Sequence, residues 1–436
     1  MHINSPGVLR NLALALVAVI GLVACGPGAG TSSGGGKTLH VLATWGGDEQ
    51  KAFLAMVKPW EDRTGNHIAY EGTRDLNAVL TTRVSGGNPP DLAGLPGPGQ
   101  MAEFAKAGKL IPLDSVVDMS QMNSQYAKSW IDLGSVNGKL YGIFIKAALK
   151  GLIWYDPKVV QAASVNISSS SPPKTWDDLT AIASQLKSAG KTPWCVGLES
   201  GAASGWPGTD WIEDLVLRSM GPDQYANWYQ GKVKWTDPGI KAAWQKFGTV
   251  VSQSYGGKNF VLSTNFGKAG DPLFTSPPGC YLHHQASFIT TFFQQDNPSV
   301  QPVTDFNFFG FPDINSQYTG SEEVAGDLFG MFKDSPEARD LIKYLTTPEA
   351  QQIWVSKGGA LSPNKQVPLS KYPDQLSRQA GQIITSAKVT AFDASDNMPD
   401  AMNTAFWHGI LDFVGDQSKL DSILANLDKV QADAYK

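Results

Sequence analysis

The sequence is poor in charge for its length, and it lacks any long run of lysine or arginine. Charged side chains make up 17% of its 436 residues, and the formal net charge is −5. Proteins that bind nucleic acid normally carry a basic patch, so this pattern argues against a nucleic-acid partner. We find neither an internal repeat nor coiled-coil heptads, which excludes repeat and coiled-coil architectures.

An apolar run long enough to span a membrane is also missing from the sequence. The run at residues 12–24 follows Arg10 and is short of the roughly 20 residues that a membrane span needs. It closes on the letters LVAC, which resemble a bacterial lipobox, so we predict a signal peptide at 1–24 and lipidation of Cys25. An ordinary signal peptide with a chance cysteine is the alternative. Residues 25–37 predict a flexible tether, so we expect an extracytoplasmic bacterial protein anchored to the cell membrane.

Cysteine is scarce, with three residues in the chain. Once Cys25 is set aside, Cys195 and Cys280 remain as an even pair in an oxidising compartment. We therefore predict a disulfide between them, with two buried free thiols as the alternative. The adjacent His283 and His284 could suggest a metal, but neighbouring residues of a strand point to opposite faces, and no acidic or cysteine set stands nearby at ligand spacing. We predict no metal and no cofactor.

The sequence is rich in tryptophan, and its N-terminal part alternates between strand and helix patterns. It contains 13 tryptophans, more than an exported protein needs for structure, so we expect some of them to line a site. Near the N-terminus, strand patterns such as TLHVLATW alternate with helices whose apolar residues recur at i, i+3, i+4 and i+7. This alternation predicts a parallel sheet with helices on both faces, and the chain length predicts two lobes. The apolar stretch 142–155 is expected to cross between them.

Several long blocks resemble a known family: EGTRDLNAVLTTRVSGGNPPDLAGLPGPG, PWCVGLESGAASGWPGTDWIEDLVLR, GCYLHHQASFI and FDASDNMPDAMNTAFW. With the lipobox and tether, they resemble the extracellular solute-binding proteins of ABC transporters, family 1, and most closely the α-glucoside-binding members. The resemblance implies an α/β fold, periplasmic-binding-protein-like type II, with two lobes joined by a hinge and the ligand cleft between them. We expect 38–146 with about 308–357 to form the N-terminal lobe. Residues 147–307 with about 358–436 are expected to form the C-terminal lobe.

A sugar site needs flat aromatic faces for the sugar rings and charged side chains for the hydroxyl rim. The stretch GAASGWPGTDW places Trp206 and Asp210 at the start of a predicted helix, behind glycines that let backbone approach a ligand closely. Trp206 could instead anchor the loop, and Trp211 could equally belong to the core. Further candidates stand at the ends of two predicted N-terminal strands, where α/β sheets bind ligands: Trp45, Gly46, Arg74 and Asp75.

The remaining candidates for ligand binding come from later parts of the chain. Lys150 lies in the apolar crossing segment, where a charge needs a partner, either an aspartate or a sugar hydroxyl. The family-matching blocks, with the further family-matching segment VAGDLFGMF, suggest five more, although each could have a structural role instead: Phe288, Asp327, Asp393, Asp396 and Trp407.

Together these patterns predict the sugar-binding component of an ABC importer, which binds an α-glucoside disaccharide of the trehalose, sucrose or maltose type without any catalysis. We expect a monomer that closes on the sugar at its hinge and delivers it to the permease transmembrane subunits. The alternative is an exported glycoside hydrolase, because Asp210 and Asp393, among other acids, could supply the carboxylate pair that such enzymes use. A peptide or polyamine binder ranks lower, since a polyamine site would be more acidic and a peptide site usually needs a larger chain.

Overall fold

A computed structural model describes residues 36–168 and 171–436 of the protein. The predicted signal peptide, the predicted lipidation of Cys25 and the tether up to residue 35 lie outside these ranges. Within the described ranges, no helix combines the length and the apolar character that crossing a membrane requires.

The described residues form short strands separated by helices, in the alternating pattern of an α/β protein. The strands are β1 (Thr38–Ala43), β2 (His67–Gly72), β3 (Leu92–Leu95), β4 (Ser135–Val136), β5 (Lys139–Leu140), β6 (Gly142–Leu149), β7 (Leu152–Tyr155), β8 (Trp194–Cys195), β9 (Leu282–His284), β10 (Asn307–Gly310), β11 (Ser321–Met331) and β12 (Val389–Phe392). The helices are α1 (Gly47–Thr64), α2 (Leu76–Ser85), α3 (Pro98–Lys106), α4 (Met119–Gln125), α5 (Lys128–Leu133), α6 (Pro157–Ala162), α7 (Trp176–Ser188), α8 (Trp206–Met220), α9 (Pro222–Tyr229), α10 (Pro238–Val251), α11 (Gly257–Ser263), α12 (Ile289–Asp296), α13 (Pro336–Leu345), α14 (Pro348–Lys357), α15 (Gln375–Ser386), α16 (Ala394–Asn397), α17 (Asp400–Gly415) and α18 (Leu420–Ala434).

The first sheet has the strand order β12-β11-β3-β1-β2, and β6 pairs with β11 beside this path. β1 runs parallel to β2 and β3, because helices α1 and α2 carry the chain back between these strands. β11 is antiparallel to β3 and β6 and parallel to β12. The carboxyl ends of β1 and β2 therefore open towards the same edge of the sheet, as predicted for this part of the chain.

The second sheet has the order β10-β7-β9-β8. β7 is antiparallel to both β10 and β9, and β8 is parallel to β9. Cys195 at the end of β8 is joined to Cys280 before β9 by a disulfide, with 5.5 Å between their Cα atoms. The predicted disulfide is therefore present, and it links the two neighbouring strands at one edge of this sheet.

The chain crosses from the first sheet to the second between β6 and β7, through Lys150 and Gly151. A Cβ at Gly151 would lie 2.5 Å from Asp214 Oδ1, so the crossing passes close against α8. The buried apolar residues form two hydrophobic cores, a first that contains Val41 of β1 and a second that contains Trp211 of α8. In the C-terminal part of the chain, Leu376 and Phe392 belong to the first core, and Met402 of α17 belongs to the second. The sequence analysis placed about 358–436 in the second lobe, and these lobe bounds stay a prediction.

Helix starts are set by side chains that satisfy free backbone N–H groups. Thr175 and Asp178 form a capping box at α7, in which each side chain accepts from the other residue's backbone N–H. Ser335 Oγ accepts from the N–H of Ala338 at 3.1 Å, and Thr347 Oγ1 accepts from that of Ala350 at 3.2 Å. These polar caps fix where α7, α13 and α14 begin.

Candidate functional site

A cavity of about 450 Å³ lies where elements of the first sheet meet helices of the second core. Its volume falls in the range of small-molecule sites. Its lining comes from the ends of β1 and β2, from β6 and β11, from the start of α8, and from the segment that leads into α17. The cavity is therefore bounded on several sides by separate parts of the chain.

The start of α8 is built to bring an indole into this cavity. Gly205 has φ +111°, a conformation that side chains rarely adopt, and a Cβ there would lie 2.4 Å from the carbonyl oxygen of Trp407. This close approach lets α8 begin at Trp206, whose half-buried ring faces the cavity. The ring centroid lies 5.0 Å from that of Phe266 and 6.1 Å from that of Phe288. The glycine-rich entry therefore serves to seat an aromatic group in the wall.

Lys150 forms the centre of a buried charge cluster next to Trp206. Its Nζ lies 2.8 Å from Asp210 Oδ2 and 2.8 Å from Asp393 Oδ2, and 5.1 Å from the centroid of the Trp206 ring. Burial raises the pKa of Asp210 to about 6, although Lys150 works in the opposite direction. Burial would also raise the pKa of Asp393, but Lys150 and nearby donors hold it below its usual value. One ammonium thus holds two carboxylates in the wall of the cavity.

Lys146, on β6, forms a second charge cluster four residues before Lys150. Its Nζ lies 2.6 Å from Glu49 Oε1 and 3.3 Å from Asp327 Oδ2. Arg74 Nη2 donates to Glu49 Oε2 at 2.9 Å, and Trp45 Nε1 donates to Asp327 Oδ2 at 3.1 Å. Burial tends to raise the pKa of Glu49, but the two cations bring it below its usual value. Every acid of this cluster therefore has a donor already in place.

Most of the predicted ligand-binding residues converge on the cavity. Eleven of the thirteen line it: Trp45, Arg74, Asp75, Lys150, Trp206, Asp210, Phe288, Asp327, Asp393, Asp396 and Trp407. Their convergence places candidates from distant parts of the sequence in one site. That each of them touches a ligand stays a prediction.

Gly46 and Trp211 do not line the cavity. Gly46 is the N-cap of α1 and is exposed. Trp211 is 1% exposed in the second core, where its ring lies 4.4 Å from that of His284. The structure thus shows the core environment that was the alternative for Trp211. It lies five residues after Trp206 in α8, so the two indoles are on different faces of the helix.

Two of the lining tryptophans are largely covered by protein. Trp45 is 1% exposed and packs against Phe53, Tyr70 and Trp354, so it supports the floor and exposes little of its ring. Trp407 is 7% exposed, and its Nε1 is buried without a hydrogen-bond partner among the described residues. Of the three lining tryptophans, Trp206 has the most accessible ring.

Several lining residues were missed by the sequence analysis. Lys146 lies in the same apolar stretch as Lys150, and the argument that a buried charge needs a partner applied to it equally. Glu49 follows the glycine pair after β1 and carried no signal beyond that position. Others lie in α2, in α17 and in the short 3-10 turn before α8, whose approach to the cavity depends on tertiary packing: Asn77, Ala202, Asp400, Thr404 and His408.

Hydrogen bonds close the cavity along one rim. Asp75 Oδ1 accepts from the backbone N–H of Ala202 at 2.8 Å, and Asn77 Nδ2 donates to Asp400 Oδ1 at 2.7 Å. The backbone N–H of Asp400 in turn donates to Glu103 Oε1 at 2.9 Å. These bonds join α2 and α3 to the segments before α8 and at the start of α17. The described conformation is therefore one in which the two sides of the cavity touch.

Three buried acids beside Lys150 lie close enough together to resemble a metal site. One oxygen each from Asp210, Glu323 and Asp393 lies within 4.8 Å of the others, a spacing that could hold a cation. Lys150 already bonds to two of these three residues, so the protein's own ammonium takes the place of such a cation. The two histidines are separately engaged, since His283 Nδ1 lies 2.9 Å from the carbonyl oxygen of Cys195 and His284 Nε2 lies 2.9 Å from Asp214 Oδ2.

Relatives of this chain are found among binding proteins of bacterial transporters. The chain matches the family described as bacterial extracellular solute-binding proteins over residues 46–352. It is 38% identical over 405 residues to the osmoprotective compounds-binding protein GgtB of Synechocystis sp., covering 92% of this chain and 94% of that protein. It is 35% identical over 398 residues to the alpha-glucosides-binding periplasmic protein AglE of Rhizobium meliloti, covering 88% of this chain and 85% of that protein.

Solved structures show the same architecture. The bacterial solute receptor AcbH superposes with a TM-score of 0.78 at 19% identity, covering 92% of this chain and 98% of that chain. A chitin oligosaccharide binding protein superposes with a TM-score of 0.77 at 21% identity, covering 92% of this chain and 100% of the other. The predicted two-lobed α/β fold is therefore confirmed, and so is the family resemblance. The chain belongs to the bacterial extracellular solute-binding proteins.

Proposed function

We propose that this protein is the lipid-anchored, extracytoplasmic substrate-binding component of an ABC importer, and that it binds an α-glucoside disaccharide. The observation that carries the proposal is the wall at the start of α8, where the accessible Trp206 ring stands beside two carboxylates held by Lys150. An indole face suits the C–H face of a sugar ring, and ionised carboxylates accept strong hydrogen bonds from hydroxyls.

The relatives support the choice of ligand class. One is named for α-glucosides and the other for osmoprotective compounds, and each matches this chain over most of its length. Trehalose, sucrose and maltose are the three disaccharides to test, because each presents two sugar rings with hydroxyl rims. A cavity of about 450 Å³ accommodates a ligand of that size.

Isothermal titration calorimetry against trehalose, sucrose and maltose tests the binding function. We expect saturable binding of at least one of them to the mature chain, with lactose as a β-linked control that binds more weakly. A chain that binds none of the three would contradict the proposal. Binding of lactose as tight as that of the best α-glucoside would contradict the α-linked part of it.

We propose that the protein catalyses no reaction on this sugar. Asp210 and Asp393 would be the natural carboxylate pair of a glycoside hydrolase, but one oxygen of each is already bonded to the same ammonium, that of Lys150. Chromatography of the sugars after long incubation should therefore show no hydrolysis. Glucose release that disappears in Asp210→Asn would favour the hydrolase instead.

Closure about a hinge at the β6–β7 crossing is the proposed route from binding to delivery. A ligand that contacts both sides of the cavity raises the population of the closed form, which then meets the permease. Small-angle scattering should show a smaller radius of gyration when sugar saturates the protein, and a single concentration-independent mass would support a monomer. Replacement of Cys25 by alanine should release the protein from the membrane fraction, since the anchor depends on that thiol.

A further inference from the structure

Lys150 occupies an unusual place in the path of the chain. It follows the last residue of β6 and precedes β7 by one residue, so it lies where the chain passes from the first sheet to the second. Its backbone N–H donates to the carbonyl oxygen of Glu323 in β11 at 2.9 Å, which fixes its main chain to the first sheet. Its side chain is buried, with 6% of its surface exposed.

The two partners of Lys150 come from separate segments. Asp210 lies in the first turns of α8, and Asp393 follows β12, where its Oδ1 accepts from Ser395 Oγ at 2.8 Å and from the N–H of Asp396 at 3.0 Å. Both carboxylates line the cavity. The ammonium therefore joins an acid of the second core to an acid at the end of the first sheet.

The surroundings of Lys150 and Asp210 are dominated by acids, with few compensating cations. The titratable and charged groups packed around them come from α8, α9, β9, β11 and the segment before α17: Glu213, Asp214, Tyr225, His284, Glu323, Asp393 and Asp396. Glu323 is fully buried, and both of its carboxyl oxygens lack a hydrogen-bond partner among the described residues. Within the described ranges, Lys150 makes the salt bridges of Asp210 and Asp393, and no other cation does.

Removing the ammonium would therefore leave two buried carboxylates facing each other and further acids. Such groups avoid the cost by taking up protons, and a protonated carboxyl group no longer offers a sugar hydroxyl the same acceptor. We propose that Lys150 is a positioning residue that keeps Asp210 and Asp393 ionised and directed into the cavity, and that it acts on the sugar through them. This inference rests on the proposed sugar-binding function.

The distinguishing measurement is the pH profile of sugar affinity between pH 5 and pH 8.5. The affinity of the unsubstituted protein should fall as the pH drops through about 6, because Asp210 takes up its proton there. Lys150→Met should bind at least about tenfold more weakly at pH 7.5, and the midpoint of its profile should move up by at least about one pH unit. A lysine that only donates to the sugar would lower the affinity by the same factor at every pH.

Matched variants keep the test decisive. Lys146→Met removes the other buried lysine of the same stretch, and it should leave the midpoint of the profile in place because its partners are different acids. Lys150→Arg keeps the charge and should also keep the midpoint. If Lys150→Met does not fold, Asp210→Asn provides the readout, since its affinity should lose the dependence on pH near 6.

Failure of the proposed function and failure of the positioning role would give different results. An unsubstituted protein that binds none of the sugars contradicts the proposed function. Sugar binding with a midpoint that Lys150→Met leaves unchanged, or with a step near pH 6 that persists in Asp210→Asn, contradicts the positioning role and leaves the proposed function standing.

Discussion

Lys146 and Lys150 stand four positions apart in one apolar stretch, and each is buried and bonded to two carboxylates. Their partners nevertheless lie in different parts of the molecule. Lys146 bonds to Glu49 in α1 and Asp327 in β11, which both flank the first sheet. The partners of Lys150 lie in α8 and after β12. The same residue type therefore strengthens one side of the cavity in the first case and ties two sides together in the second.

The two clusters also differ in how many cations they contain. Glu49 bonds to Arg74 as well as to Lys146, so its charge would keep one partner if the lysine were lost. Among the described residues, Asp210 and Asp393 each form a salt bridge with one cation, and that cation is Lys150 in both cases. A buried acid with one cation depends on it far more strongly than an acid with two. The Lys150 cluster should therefore be the more fragile one.

The largest expected effect is the loss of stability in Lys150→Met. Breaking a buried ion pair by removing one partner costs about 3–5 kcal/mol, and Lys150→Met strands two carboxylates at once. Lys146→Met should cost less, because Arg74 still compensates Glu49. Urea unfolding of the two variants at pH 7.5 measures the difference. Equal losses of unfolding free energy would mean that the second cation gives no protection.

The accessible indole next to Lys150 gives the next largest effect. Trp206→Ala should weaken sugar binding by about 2–3 kcal/mol, since it removes the most accessible of the lining indoles. Trp206→Phe should recover part of that loss. Calorimetry measures both, and circular dichroism checks that the fold is intact. Unchanged affinity in Trp206→Ala would mean that the sugar does not stack on Trp206.

Several residues of the cavity could be predicted from the sequence because the local pattern around each of them indicated its role. Glycine-rich letters before Trp206 predicted a close backbone approach, and Lys150 in the apolar stretch GIFIKAALKGLIWY predicted a charge that needs a partner. Trp211 shows the limit of that reasoning, since its spacing of one turn from the core residue Leu215 fitted the cavity and the core equally. The partner of each buried charge could not be predicted. Glu49 and Asp327 are far apart in the sequence, and only the pairing of β11 with β6 brings Asp327 to Lys146.

The pH dependence of stability should have opposite signs in the two clusters. The pKa of Asp210 is raised to about 6 in the folded protein, so its protonated form stabilises the fold below about pH 4, and this contribution is lost as the pH rises to 6. The pKa of Glu49 is lowered, so its contribution is present above the unfolded value and is lost as the pH falls. For Asp210, a rise of the pKa to about 6 corresponds to a contribution on the order of 3 kcal/mol.

Unfolding free energies at pH 3, 4, 5, 6 and 7 test these signs in two isosteric variants, since the Glu49 contribution changes below about pH 4.5 and the Asp210 contribution between about pH 4 and 6. Relative to the unsubstituted protein, Asp210→Asn should become less destabilised, or more stable, as the pH rises. Glu49→Gln should become more destabilised over the same range, because the ionised carboxylate that it replaces is then most favourable. If the relative unfolding free energies of both variants changed with pH in the same direction, the two acids would have similar electrostatic environments. That outcome would contradict the difference between the Lys146 and Lys150 clusters.

The smallest expected effect concerns the rim of the cavity, where uncharged donors on one side bond to carboxylate oxygens on the other. Asn77→Ala removes the donor to Asp400 Oδ1, a bond of 2.7 Å that needs both sides to be in contact. A net loss of about 0.5–1.5 kcal/mol is typical of one hydrogen bond, which corresponds to a several-fold weaker affinity. The loss should appear as faster sugar release in stopped-flow fluorescence, because the bond exists when the cavity is closed and stabilises the closed form.

Thr82→Ala, in the same helix, is the matched control, since the Thr82 hydroxyl bonds to the carbonyl oxygen of Ala78 and reaches nothing across the cavity. If both variants released sugar at the same rate, contact across the rim would contribute nothing to retention, and the charges around Lys150 would have to hold the two sides together alone.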